Sequence, residues 1–167
     1  ALAIVSVSFA YAETKVGIIG LDTSHSVAFT KIMNVEKDPA VAGFRVTAAY
    51  KWGSKDIISC TNRYEKYIPQ MKEMGVEIVD SIDALLAKVD VVCLETCDGR
   101  EHLAQAEKVF ASGKRVFIDK PLAHNLADAL KIYDAGKKYN AKYFSSSALR
   151  FTPVAMACRA GEHGPIA

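Results

Sequence analysis

Residues 15–26 read KVGIIGLDTSHS, and this stretch decides the fold. Lys15 to Gly20 is a short apolar run of the kind buried on both faces of a parallel sheet. Beyond the Gly20 turn, Thr23 or Ser24 can cap the free N–H groups of a helix reaching about Val35. A strand that turns through glycine into a capped helix is how a doubly wound α/β domain begins.

The same alternation continues along the chain. Asp38-Pro39 breaks the pattern, and Phe44 to Tyr50 (FRVTAAY) reads as a second strand. A helical stretch follows from about Asp56 to Met74, with a kink or split expected at Pro69. Val76–Val79, Val89–Leu94, Arg115–Ile118 and Lys142–Ser145 supply four more strands. Between them Ser81 caps a helix through Ala87, Arg100–Ser112 forms an amphipathic helix ended by Gly113, and Asn125 caps a helix to about Tyr139. Strands separated by helices imply parallel pairing through right-handed crossovers. The expected fold is therefore α/β, a doubly wound parallel sheet of Rossmann type over residues 13–147. Residues 148–167 are expected to open a second, α+β substrate domain that the chain does not complete.

Composition narrows the function classes. Of 167 residues, 50% are hydrophobic and 24% charged, a soluble globular balance. Lys and Arg number 21 against 19 Asp and Glu, so no charge excess argues for nucleic acid or an anionic membrane as partner. The cysteines, Cys60, Cys93, Cys97 and Cys158, form no CxxC pair and no disulfide scaffold. Cys93 reads as a small buried hydrophobe and Cys97 as a loop thiol. Residues 1–12 (ALAIVSVSFAYA) are apolar, end in A-x-A and precede the first charge at Glu13. They read as the later part of a secretory signal peptide, too short to span a bilayer, and imply a periplasmic or secreted protein.

In such a sheet, ligands bind beyond the carboxyl ends of the strands. That rule selects Leu21–His25, Lys51–Lys55, Glu95–His102, Asp119–Leu122 and Ser146–Arg150. A dinucleotide fingerprint starting at Gly20 would place glycines at 22 and 25, where Asp22 and His25 stand. The second glycine normally lets a pyrophosphate approach the backbone, and an aspartate there adds unwelcome charge. What remains is a helix N-terminus with the hydroxyls of Thr23, Ser24 and Ser26, which suits an anion. Equally, Asp22 and Thr23 serve only to cap the helix. After the second strand, Lys51-Trp52-Gly53-Ser54-Lys55 contains no acid for the ribose hydroxyls of NAD. Lys51, Ser54 and Lys55 suit a 2′-phosphate instead, so NADP is favoured over NAD, and Trp52 can stack on adenine. An ordinary solvated basic loop is the competing reading.

The later motifs carry a resemblance. Leu94-Glu95-Thr96-Cys97-Asp98-Gly99-Arg100-Glu101-His102 precedes Ser112-Gly113-Lys114 and then Asp119-Lys120-Pro121-Leu122-Ala123. Arg150-Phe151-Thr152-Pro153 and Gly161-Glu162-His163-Gly164-Pro165-Ile166 follow. In order and spacing this series resembles the Gfo/Idh/MocA family, named for glucose–fructose oxidoreductase and inositol dehydrogenase, over about residues 15–167. Asp119 stands where that family has glutamate, and Cys97 where it has proline. The resemblance implies NADP or NAD as cofactor, a sugar, cyclitol or related polyol as substrate, and a homo-oligomer for the whole protein. It implies that Lys120 meets nicotinamide and substrate as a catalytic residue, that His102 is the second catalytic residue, and that Thr96 and His102 line the nicotinamide side. Asp119 and Pro121 complete that end, with Pro121 fixing the turn after a cis peptide bond. A main acid–base pair would come from the second domain. No metal is expected. Two alternatives stay open: an NAD-dependent glycoside-cleaving enzyme of the same family, and a Rossmann-fold binding protein that has lost its cofactor.

Overall fold

The computed structural model describes residues 12–164. Nearly all of the expected signal segment, and the end of the final G-x-x-G-x-I turn, lie outside the described residues. The elements alternate as β1 (Thr14–Ile19), α1 (Ser24–Thr30), β2 (Phe44–Tyr50), α2 (Ile58–Thr61), α3 (Tyr64–Glu73), β3 (Glu77–Val79), α4 (Ile82–Leu86), β4 (Val91–Leu94), α5 (Gly99–Ala111), β5 (Arg115–Asp119), α6 (Leu126–Lys138), β6 (Tyr143–Ser146) and α7 (Pro153–Arg159). A π-helical segment, Lys31–Glu36, extends α1.

All strand pairs are parallel, in the order β3-β2-β1-β4-β5-β6. The chain winds outward from β1 in one direction and from β4 in the other, so the order reverses between β1 and β4. Crevices that hold ligands open at such a reversal.

Two cores sandwich the sheet. Leu85, Val109, Phe110 and Ile132 bury completely on the α4–α5–α6 side. Tyr64, Met71 and Val76 pack with Val27 and Met33 on the α1–α3 side. Each fully buried large side chain contributes about 1.5–3 kcal/mol. Ser81, Asp98 and Asn125 cap α4, α5 and α6 through their side chains.

Two local expectations change. The long helix divides at Asn62–Arg63, between α2 and α3, and runs unbroken through Pro69. Pro69 and Glu65, whose carbonyl loses its partner, are both exposed, so water can serve that carbonyl. Cys93 is only half-buried. The crossovers on its face cover β1 to β3, and the face over β4 to β6 is an open apolar groove of about 660 Å³ flanked by Phe44, Phe117 and Phe144. As expected for the segment after Ser146, Phe151, Val154 and Met156 lie on the surface, as does Leu149, with α7 in contact chiefly with the turn before it.

Candidate functional site

The turn after β1 is built around Gly20, whose φ is 91°. A Cβ there would lie 2.6 Å from the Thr96 backbone nitrogen and hydroxyl. Only glycine permits that close approach between the β1 and β4 loops. Asp22 follows, fully buried. Its carboxylate accepts hydrogen bonds from the Ser54 N–H at 2.9 Å and the Cys97 N–H at 3.2 Å. The Arg63 guanidinium donates to its carbonyl at 2.8 Å. Burial raises the pKa of Asp22, and these hydrogen bonds oppose the rise. One side chain thus ties together the loops after β1, β2 and β4. Gly53 lies against it, and a Cβ there would collide with the carboxylate.

This arrangement replaces the expected anion site. The Thr23 hydroxyl accepts from the His25 N–H at 3.3 Å, and the buried Ser26 hydroxyl donates to the Gly20 carbonyl at 2.7 Å. Both are spent on the turn itself, so the capping alternative describes them; Ser24 alone is exposed. The second loop also differs. Ser54 is fully buried and its hydroxyl serves the Ile57 N–H at 3.1 Å, which removes it from any 2′-phosphate. The Lys51 ammonium lies 4.4 Å from the Trp52 ring centroid, and Trp52 meets Tyr64 edge-on. Arg100 bridges Asp56 and Asp98 and holds both carboxyls below the usual range.

Beyond β4, the Thr96 hydroxyl donates to Gln105 at 2.7 Å, inside the protein. His102 is fully buried, with Nε2 at 2.7 Å from the Thr96 carbonyl and Nδ1 at 3.2 Å from the Leu122 carbonyl. It braces the β4 loop against the β5 loop from beneath. Neither Thr96 nor His102 presents a polar atom to the cleft, which corrects their expected place on its lining.

The reactive edge lies at the end of β5. The Lys120–Pro121 peptide is cis. The Lys120 side chain is half exposed, with Nζ 3.6 Å from Asp119 Oδ2. That buried carboxylate is also 2.7 Å from His25 Nδ1. Behind them sits Glu95, which sequence reasoning placed at the β4 end without assigning it a role. Glu95 is fully buried and, among the described residues, neither carboxyl oxygen has a hydrogen-bond partner. Burial, reinforced by the Asp119 charge and only partly offset by Lys120, pushes its pKa up to about 8. The visible signal was an acidic residue directly after an apolar strand at the sheet's reversal. The cleft can thus offer an ammonium donor, an imidazole and a proton-holding carboxyl within one small volume.

A nicotinamide dinucleotide lies across such a reversal. The residues fit it on the β4–β5 side, where Lys120 is accessible, and crowd it on the β1–β2 side, where Asp22 and His25 replace glycines. Comparison with known proteins agrees with the fold. Residues 14–147 match the oxidoreductase family with the NAD-binding Rossmann fold, Gfo/Idh/MocA. An oxidoreductase from Streptococcus pneumoniae serotype 4 is 27% identical over 81 residues, covering 48% of this chain and 22% of that protein. A UDP-N-acetylglucosamine 3-dehydrogenase from Acidithiobacillus ferrooxidans superposes with a TM-score of 0.66 at 19% identity, over 89% of this chain and 43% of that one. The WlbA dehydrogenase from Bordetella pertussis, in complex with NADH and UDP-GlcNAcA, gives 0.65 at 17% identity, over 89% and 42%. The chain spans less than half the length of each of these proteins. With its glycine turn, its strand order and its Asp119-Lys120-Pro121 strand end, the chain belongs to the Gfo/Idh/MocA oxidoreductase family.

Proposed function

We propose that this domain is the cofactor-binding part of an NAD(P)-dependent oxidoreductase acting on a hydroxyl of a sugar, cyclitol or related polyol. The observation that carries the reading is Lys120, half exposed at the carboxyl end of β5 and facing the strand order's reversal. The bound nicotinamide would supply the hydride acceptor or donor, with Lys120, Asp119 and Pro121 at its reacting end. Lys120 donates a hydrogen bond to the substrate oxygen and stabilises the negative charge that grows there. Asp119, 3.6 Å away, holds the ammonium in position. Glu95, with a pKa of about 8, keeps its proton at neutral pH and spares Lys120 a second nearby negative charge. His102 sets the spacing between the loops that carry Thr96 and Lys120.

The whole protein, carrying its second domain, tests this reading through Lys120→Ala. Turnover with a polyol panel should fall while NAD(P)H binding holds. Undiminished turnover would remove Lys120 from the chemistry. A second reading has its own support: Asp22 ties three loops together across the dinucleotide's path, which favours a binding protein without cofactor. Equilibrium titration with NADH and NADPH separates the two. Export to the periplasm or beyond rests on the apolar run of residues 1–12, and fractionation of cells expressing the complete gene tests it.

A further inference from the structure

We propose that His25, Glu95 and Asp119 form a site for one divalent transition-metal ion at the reversal point of the sheet. One ligand atom from each lies within 4.8 Å of the other two. Asp119 Oδ2 is 2.7 Å and Glu95 Oε2 3.9 Å from His25 Nδ1. A tetrahedral ion with bonds of about 2.1 Å would set its ligands about 3.4 Å apart. The two observed separations straddle that value.

Glu95 supplies the independent argument. It is fully buried, yet among the described residues neither oxygen finds a hydrogen-bond donor. Buried carboxylates are ordinarily paired or bound to metal, because an isolated one is costly. The Lys120 ammonium does not fill the role, since it is half exposed and its ion pair is with Asp119. A dication among Glu95, Asp119 and His25 would displace the Glu95 proton to solvent, neutralise both carboxylates and satisfy the orphaned oxygens. The donors come from the first turn of α1, the residue after β4 and the last residue of β5, all at the carboxyl edge of the sheet. His25 is partly exposed, which gives an entry path from the cleft.

The donor set names the ion class. One imidazole and two carboxylates favour Zn²⁺, Mn²⁺, Fe²⁺ or Co²⁺ over the oxygen-seeking Ca²⁺ and Mg²⁺. Three protein ligands leave a coordination position for water or a substrate oxygen, as in catalytic rather than structural sites. The proposal goes beyond the hydride-transfer reading and does not depend on it.

Calorimetric titration of the chelator-treated protein with Co²⁺ and Zn²⁺, with visible spectra of the Co²⁺ form, tests the site. One ion per chain is expected, with d–d bands and no thiolate charge-transfer band. Glu95→Gln, Asp119→Asn and His25→Ala should each weaken binding by about 100-fold, the upper end of what even outer-shell partners cost. Circular dichroism establishes that each variant is folded. His124→Ala, at an exposed histidine beside Asp128, should leave the affinity unchanged. Absence of binding, or binding that survives both His25→Ala and Glu95→Gln in folded protein, would overturn the proposal. So would loss on His124→Ala alone.

Discussion

Replacing Glu95 by glutamine should stabilise the metal-free protein, and the gain should appear only as pH rises. The folded carboxyl titrates at about 8 against an ordinary value of 4.5, because burial and the Asp119 charge oppose its ionisation. The folded chain therefore keeps a proton that the unfolded chain releases. Stability contributed by this group is fully present below about pH 4.5, declines as pH rises towards 8 and levels off above that. The difference of 3.5 between those two values, at about 1.4 kcal/mol per unit, amounts to roughly 5 kcal/mol at the alkaline end. Near pH 7 about 3 kcal/mol is already lost. Glutamine has the same shape and cannot ionise, so it removes the penalty and leaves the packing. Other titrating groups are shared by both proteins and cancel in the comparison. For a domain of this size each kcal/mol moves the melting temperature by about 2–4 °C. Melting curves followed by circular dichroism in chelator, from pH 5 to pH 9, should lie within about 3 °C of each other for wild type and Glu95→Gln at pH 5, where about 0.8 kcal/mol is lost. By pH 8.5 they should separate by about 10 °C in favour of the variant. Parallel curves across the range would refute the assignment of a buried, unpaired carboxyl.

Other outcomes follow from the same structure. Lys120→Ala in the full-length protein should lower kcat by about 10²–10³ and change NAD(P)H affinity little; Lys120→Arg should not restore it, which steady-state kinetics will show. Asp22→Gly should tighten NAD(P)H binding by clearing the turn. It should also lower the unfolding free energy in urea by about 1–3 kcal/mol, since the Ser54 and Cys97 N–H groups lose their acceptor. His102→Phe should cost a similar amount in the same assay by leaving the Thr96 carbonyl, 2.7 Å from Nε2, without a donor.

Elements with a strong local pattern were legible in the sequence. The β1 run, the Gly20 turn and the capping residues Ser81 and Asn125 announce themselves because burial on both faces and free helix N–H groups demand particular residue types nearby. Lys120 could be placed at a strand end for the same reason. The pairings that matter most in the cleft were not legible. Asp22 finds its donors 32 and 75 residues away, at Ser54 and Cys97, and His25 meets Asp119 across 94 residues. No local spacing encodes such contacts; only the strand order brings the loops together. Pro69 illustrates the reverse case, a strong local signal overruled by position: on an exposed face the missing hydrogen bond costs little, so α3 continues past it.

Calorimetric titration of the full-length protein with NADH and then NADPH tests the central claim most directly. The account predicts saturable binding of one dinucleotide per chain, with NADPH at least as tight because Lys51 and Lys55 border the second loop and no acid precedes Asp56. Failure of both dinucleotides to bind wild type would contradict it.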